Sequence, residues 1–278
     1  MSKKRELVAA LQTDYSVREI CDTLGFNRSL LYYQPKSEPP DEASLREEIH
    51  RLAARYPTYG YRRITELLVR MGYPVGYRRV ARWMKADYLT ASVKRACRTT
   101  QSLESQHQWS NRLDNLAITR CDQVWVGDIT YVRLKGRFVY VALLMDVFTR
   151  MIRGWHVSRH LTEPLTLKPL EAALGQSIPE IHHSDQGVQY LSNAYISTLE
   201  RHGIEISLAC RGCPWENGYA ERLIRTLKEE EVYLNAYENL SDVQARIGYF
   251  LQQVYNQKRP HSALGYLTPL EFQRKNLS

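Results

Sequence analysis

Apolar residues recur at helical spacing through the first third of the chain and give way to strand texture near residue 115. Val8 and Leu11, then Val17, Ile20 and Leu24, predict short helices between residues 5 and 33. Gly25 interrupts them, Asn27 can cap the next helix, and Leu30, Leu31 and Tyr32 resume the pattern. Residues 1–34 therefore read as a helix-turn-helix-like segment. Pro35 to Pro40 reads as a linker. Residues 44–89 repeat the plan: helices over about Ser44–Arg55, Tyr61–Met71 and Tyr77–Asp87, the second stopped by Gly72. Ile64, Leu67 and Leu68 form the apolar face of the second helix, and Val80, Trp83 and Met84 that of the third. Residues 90–113, rich in Ser, Gln and Arg, read as a second linker.

Beyond residue 113 the pattern predicts a mixed α/β sheet over 114–235. Val124–Val132 is β-branched and aromatic, Lys135-Gly136 supplies a hairpin turn, and Phe138–Val147 is nearly continuously apolar, as in a strand covered on both faces. A third strand is expected over Met151–Val157. Strands near 178–184 and 204–208 then alternate with helices over 163–174, 194–202 and 215–231. Val243, Ile247, Phe250, Leu251 and Val254 mark one more amphipathic helix in a C-terminal extension, 236–278, whose last part shows no period.

Length and charge sharpen this division. A chain of 278 residues accommodates about two domains. No apolar run approaches the roughly 18 residues of a membrane span, and Glu6 with an early polar stretch breaks any signal core. The expectation is a cytoplasmic protein without membrane contact. The net charge of +8 is concentrated: residues 1–113 hold 20 Lys and Arg against 12 Asp and Glu, and residues 114–278 hold 18 of each. Within 45–98 the count is 13 basic to 4 acidic, which suits phosphate neutralisation and hence double-stranded DNA as partner. On the third helix Arg78, Arg79, Arg82 and Lys85 share the outward side, the basic ridge a groove-binding helix needs, with Asp87 the one acid nearby. Arg62 and Arg63 on the second helix are further candidates for DNA contact. Cys210 and Cys213 make at most half a zinc site, and adjacent strand residues His182 and His183 point to opposite faces, so two ordinary thiols are expected.

Three acids carry the chemistry. Asp128 interrupts the first apolar strand, where an unpaired carboxylate is costly to bury. Asp185 follows a short strand, at a turn. Glu221 shares a polar helix face with Asn217, Arg225 and Lys228, while Trp215, Tyr219, Ala220, Leu223, Ile224 and Leu227 fill much of the remainder. Each acid alone admits a structural reading: an arginine partner, a turn former, a solvated helix residue. Together they are what a small α/β fold gathers at one sheet edge. Carboxylates about 4 Å apart repel by roughly 4 kcal/mol at an effective dielectric near 20, so such a cluster calls for cations. Oxygen ligands in an open site suit Mg²⁺, with Mn²⁺ as a substitute, and two such ions can clamp the oxygens of a phosphoryl displacement.

The blocks around these acids are Trp125-Val126-Gly127-Asp128-Ile129-Thr130-Tyr131, His183-Ser184-Asp185-Gln186-Gly187-Val188-Gln189-Tyr190 and Trp215-Glu216-Asn217-Gly218-Tyr219-Ala220-Glu221-Arg222, with 35 residues between Asp185 and Glu221. They resemble the catalytic blocks of DDE transposases, above all the OrfB transposases of the insertion-sequence-three group, related in their core to retroviral integrases. Tyr255-Asn256-Gln257-Lys258-Arg259-Pro260-His261 resembles that group's C-terminal block, and 44–89 its helix-turn-helix segment. The resemblance implies an RNase H-like core over 114–235, with Asp128, Asp185 and Glu221 as catalytic metal ligands for two Mg²⁺ ions. It implies cleavage and joining of DNA strands at element ends and target, self-association on DNA, an upstream-frame protein or frameshift fusion as partner, and a bacterial, nucleoid-associated location when on DNA. Arg225 and Lys228 are expected beside the metals, on the DNA backbone, unless they pair within the helix. Gly127 stands where the group more often has a larger polar residue, and Glu216 where it often has Asp. Cys213 matches a position where the group often has a cysteine without zinc. Two competing readings are a DNA-binding regulator with an inert core and an RNase H-like nuclease that cuts without joining.

Overall fold

The computed structural model describes residues 2–32, 40–89, 91, 109–210 and 212–277. The linker expected at Pro35–Pro40 lies outside them except for Pro40, and most of the linker expected at 90–113 lies outside them too. The chain forms two compact units, Met1–Glu48 and Ile49–Ser278.

In the first unit, α1 (Ser2–Leu11), α2 (Val17–Thr23) and α3 (Arg28–Tyr32) enclose a small core of Val8, Ile20, Cys21 and Phe26. Ser16 and Glu19 cap α2 reciprocally, satisfying two N–H groups that the first turn leaves without intrahelical partners. The next helix, α4 (Pro40–Arg55), begins four residues before the expected start and crosses from the first unit into the second.

In the second unit, the end of α4 is followed by α5 (Tyr61–Arg70) and α6 (Tyr77–Ala86). Ile64, Leu68, Val80, Trp83 and Met84 are buried, as the spacing predicted, while Leu67 is only half-buried; Ile49 and Leu52 of α4 are buried as well. His50 Nε2 lies 2.8 Å from Asp87 Oδ2, so the acid beside the basic ridge already has a partner.

The sheet runs β3-β2-β1-β4-β5, with β1 (Val124–Leu134), β2 (Arg137–Asp146) and β3 (Ile152–Ser158) antiparallel and β4 (Ile181–Ser184) and β5 (Glu205–Leu208) parallel to β1. Lys135 and Gly136, with φ of 43° and 82°, form the two-residue turn between β1 and β2. Both sheet faces are covered. One carries Val124, Val126, Val132, Leu143 and Met145 against α9 (Gly218–Leu227) and α10 (Leu240–Tyr249). The other carries Trp125, Leu144 and Ile206 against α7 (Pro164–Leu174) and α8 (Asn193–Arg201).

Two elements depart from expectation. The helix expected over 215–231 is a 3₁₀ turn (Pro214–Asn217), then α9, then a π-helical turn (Lys228–Val232). The unperiodic tail contains a further helix, α11 (Pro269–Leu277).

Candidate active site

Strand pairing and strand parity bring the first two acids together. In the parallel β1–β4 ladder Val124 is level with Ile181 and Val126 with His183. Two residues further along each chain are Asp128 and Asp185. Side chains alternate between sheet faces. Asp128 therefore faces the same side as Val124 and Val126, which pack against Leu223 and Leu227 of α9. Glu221 stands exposed on that helix. Asn217, just before α9, donates from Nδ2 to the Gly127 carbonyl at 3.3 Å and ties the helix start to the residue before Asp128.

The site's electrostatics are those of crowded acid. Burial raises the Asp128 pKa to about 8, and the charges of Asp185 and then Glu221 push in the same direction. The Ile129 N–H, 2.7 Å from Asp128 Oδ1, and the Lys228 ammonium act against this rise. Asp185 keeps an exposed face, yet the protein packed around its remaining sides raises its pKa, opposed by the Gly187 N–H at 3.0 Å. Among the described residues no three His, Cys, Asp or Glu side chains lie close enough together to hold a metal ion by themselves.

Behind the acids, Tyr190 is buried and its hydroxyl has no hydrogen-bond partner among the described residues. It packs against Gly127, where a Cβ would lie 3.1 Å from the Tyr190 ring and 3.2 Å from His182 Nε2. A larger residue at 127 would thus crowd this tyrosine. His182 and His183 do face apart: His182 Nε2 is 2.8 Å from the Tyr195 hydroxyl and His183 Nδ1 is 2.8 Å from Ser207 Oγ.

The cationic candidates divide into three settings. Arg78, Arg82 and Lys85 are exposed on α6, with Arg79 half-buried over Trp83, 4.8 Å from its ring centroid. Arg62 is exposed over Tyr61. Arg63 is drawn inward, to 3.0 Å from Glu230 and over the Tyr59 ring, and does not share the open surface of its neighbour. Near the acids, Arg225 is exposed and the Lys228 ammonium lies 4.3 Å from the Tyr131 ring centroid. The apolar side expected of α9 is only partly packed. Ala220, Leu223 and Leu227 are buried, but Trp215 is 71% exposed and Tyr219 41% exposed. Position on a helical wheel could not reveal this, because what covers a helix face is a tertiary matter.

Models of the integrase core domain match residues 119–214 and 202–269, and a model of an HTH-like domain matches residues 40–96. The chain is 31% identical over 281 residues to the transposase for insertion sequence element IS629 of Shigella sonnei, covering 96% of this chain and 95% of that protein. It is 28% identical over 279 residues to the transposase InsF for insertion sequence IS3A of Escherichia coli, covering 96% and 97% respectively. The HTLV-2 integrase catalytic core domain, solved in complex with magnesium, is similar at a TM-score of 0.43 and 17% identity, covering 55% of this chain and 96% of that one. The chain belongs to the IS3 family of transposases, built on an integrase core domain with an HTH-like domain before it.

Proposed function

We propose that this chain cleaves and joins DNA strands at the ends of an insertion sequence, with Asp128, Asp185 and Glu221 as its catalytic carboxylates. The observation that carries this reading is the placement of Asp128 and Asp185 two residues beyond the paired Val126 and His183, with Asn217 tying the start of the Glu221 helix to the Gly127 carbonyl. An all-carboxylate donor set suits hard divalent cations; drawn closer than they stand in this structure, Asp128, Asp185 and Glu221 would hold two Mg²⁺ ions, or Mn²⁺ in their place. Bound there, the ions would lower the pKa of the attacking hydroxyl and neutralise charge on the phosphoryl group.

The two steps balance without a side-chain base. Water attacks phosphorus at the element's end, the bond to the 3′-oxygen breaks, and a free 3′-hydroxyl results. That hydroxyl then attacks phosphorus in a second strand, displacing its 3′-oxygen and forming the new phosphodiester. Lys228, whose charge acts on Asp128, and exposed Arg225 would hold the DNA backbone beside the acids. Arg62, Arg78, Arg79, Arg82 and Lys85 would supply phosphate contacts to double-stranded DNA at element ends and target. Self-association on DNA and partnership with an upstream-frame protein or fusion belong to the same reading. No described helix is long and apolar enough to cross a membrane.

The deciding experiment incubates element-end DNA with Mg²⁺ and follows both strand cleavage and strand joining, for the native chain and Asp128→Asn. Both products from the native chain and neither from the variant are expected. Binding without cleavage would leave a DNA-binding regulator, and cleavage without joining a nuclease.

A further inference from the structure

Helix α9 has a second working face. Tyr219 and Arg222, turned away from Glu221 on the helical wheel, border a cavity of about 820 Å³. Its size falls within the roughly 300–1,000 Å³ of ligand pockets. Arg150 also lines it, its guanidinium over the Tyr219 ring at 4.3 Å from the centroid. Its backbone φ of 61° lies in the left-handed region that non-glycine residues seldom occupy. The preceding turn is pinned by buried Asp146, which accepts from the Thr149 N–H at 3.0 Å and from its hydroxyl. A side chain held into a cavity at the cost of backbone strain points to a role there. Trp215, also lining the cavity, is 71% exposed.

The cavity's charge is unbalanced. Arg63 and Arg259 line it and share one carboxylate, Glu230. Glu216 at the rim is occupied by the Cys210 N–H at 2.7 Å and the Asn111 amide at 3.0 Å. Asp114 lies 3.2 Å from the same amide. Among the described residues Arg150 and Arg222 have no ion-pair partner. His261 in the wall cannot add charge at neutral pH, because burial and then Arg259 drive its pKa to about 2.

We propose that this cavity takes one unpaired nucleotide of a DNA strand, its phosphate on Arg150 and Arg222 and its base stacked on Trp215. The proposal rests on the reading of this chain as a DNA-processing protein. A bare anion would use the arginines and leave the indole idle. Cations beside an open aromatic face are how single-stranded nucleic acid is held without regard to sequence. Because α9 also bears Glu221, a strand gripped in the cavity is fixed by the helix that serves the carboxylates.

The test uses duplex DNA of unrelated sequence carrying a single-stranded tail with 2-aminopurine, and a blunt duplex beside it, all with chelator present so that no strand chemistry intervenes. The native chain should quench the 2-aminopurine and bind tailed DNA more tightly than blunt. Trp215→Ala should abolish the quench and weaken tailed binding about tenfold. Arg222→Ala should weaken tailed binding to a similar degree. Trp215→Phe should restore most of both signals, which a folding defect would not allow. Blunt-duplex binding should change less than about twofold throughout. Equal losses on tailed and blunt DNA, or no quench by the native chain, would overturn the proposal. Competition by free dAMP as effective as the tail would overturn its assignment to a strand. A chain that quenches but never cleaves retains this site and loses the catalytic reading; one that cleaves without quenching does the reverse.

Discussion

Arg259 and Glu230 meet side-on in the interior, with Nε and Nη2 of the arginine 2.8 and 2.7 Å from the two carboxylate oxygens and both side chains under a tenth exposed. Burial alone would lower the Arg259 pKa, but Glu230 reverses this and holds the guanidinium firmly charged. The same carboxylate receives Arg63 from α5 at 3.0 Å, so one acid joins the HTH-like domain, the π-helical turn after α9 and the C-terminal segment.

Glu230→Gln would leave two guanidiniums sharing one interior without a counter-charge. Breaking a buried pair from one side costs about 3–5 kcal/mol. The exposed pair Arg120–Glu180 is the internal control, since Glu180→Gln should cost under about 1 kcal/mol. Urea unfolding of both variants checks the contrast, and similar losses would mean that the buried pair adds nothing beyond a surface one.

The exposed cations of α6 should govern affinity without sequence preference. Replacing Arg82 by Ala should weaken binding to all duplexes alike and reduce the slope of log affinity against log salt by about 1. Arg63→Ala should instead lower stability and leave that slope nearly unchanged, because its guanidinium is engaged by Glu230. Titrations at several salt concentrations separate the two; a reduced slope for Arg63→Ala would return that residue to the DNA interface.

His182 should make the core acid-labile. Burial, with the neighbouring His183 charge acting the same way, lowers its pKa to about 3. An unfolded histidine takes up its proton near pH 6.5. Below that pH the unfolded chain therefore binds a proton the folded chain refuses, and stability falls as pH falls from about 6.5 toward 3. At pH 5 the loss from this one group is about 2 kcal/mol. Comparing urea unfolding at pH 7 and pH 5, His182→Gln should show a shallower decline, whatever its own cost at pH 7.

The sequence made the strands of the sheet and most helices of the second unit legible, because each rests on a local period. Val124 and Val126 alternate with Trp125, and the same parity that buries them turns Asp128 toward α9. Boundaries slipped where local chemistry intervened. The strand expected from residue 178 begins at Ile181, since Pro179 has no N–H to give the ladder and Ile178 is 52% exposed. Helix α11 lacked a period but has a start signal that pattern reading passed over: Thr268 and Glu271 exchange hydrogen bonds of 2.8 and 3.2 Å across Pro269. The Arg63–Glu230–Arg259 cluster and the cavity beside Trp215 join residues far apart in the chain, and no spacing announces such pairs.

The three carboxylates should behave as one unit, both in chemistry and in titration. In the metal-free protein the Asp128 pKa of about 8, set first by burial and next by Asp185, means that the folded chain keeps a proton which the unfolded chain releases near 4. Stability of the metal-free protein should then fall as pH rises from about 4 to 8, the reverse of the histidine effect. Asp128→Asn removes the titrating group, so it should flatten this decline and be the more stable protein at pH 8 without metal. Mg²⁺ should raise the melting temperature of the native chain at pH 8 and do so far less for the variant. In strand cleavage, Asp128→Asn and Glu221→Gln should each reduce the rate to near background, and the double variant should be little worse than either. Binding to element-end DNA should persist in all of them, because the excess basic charge lies before residue 114. Cleavage losses that multiply in the double variant, or a native chain indifferent to Mg²⁺ in melting, would mean that the three acids do not share a site.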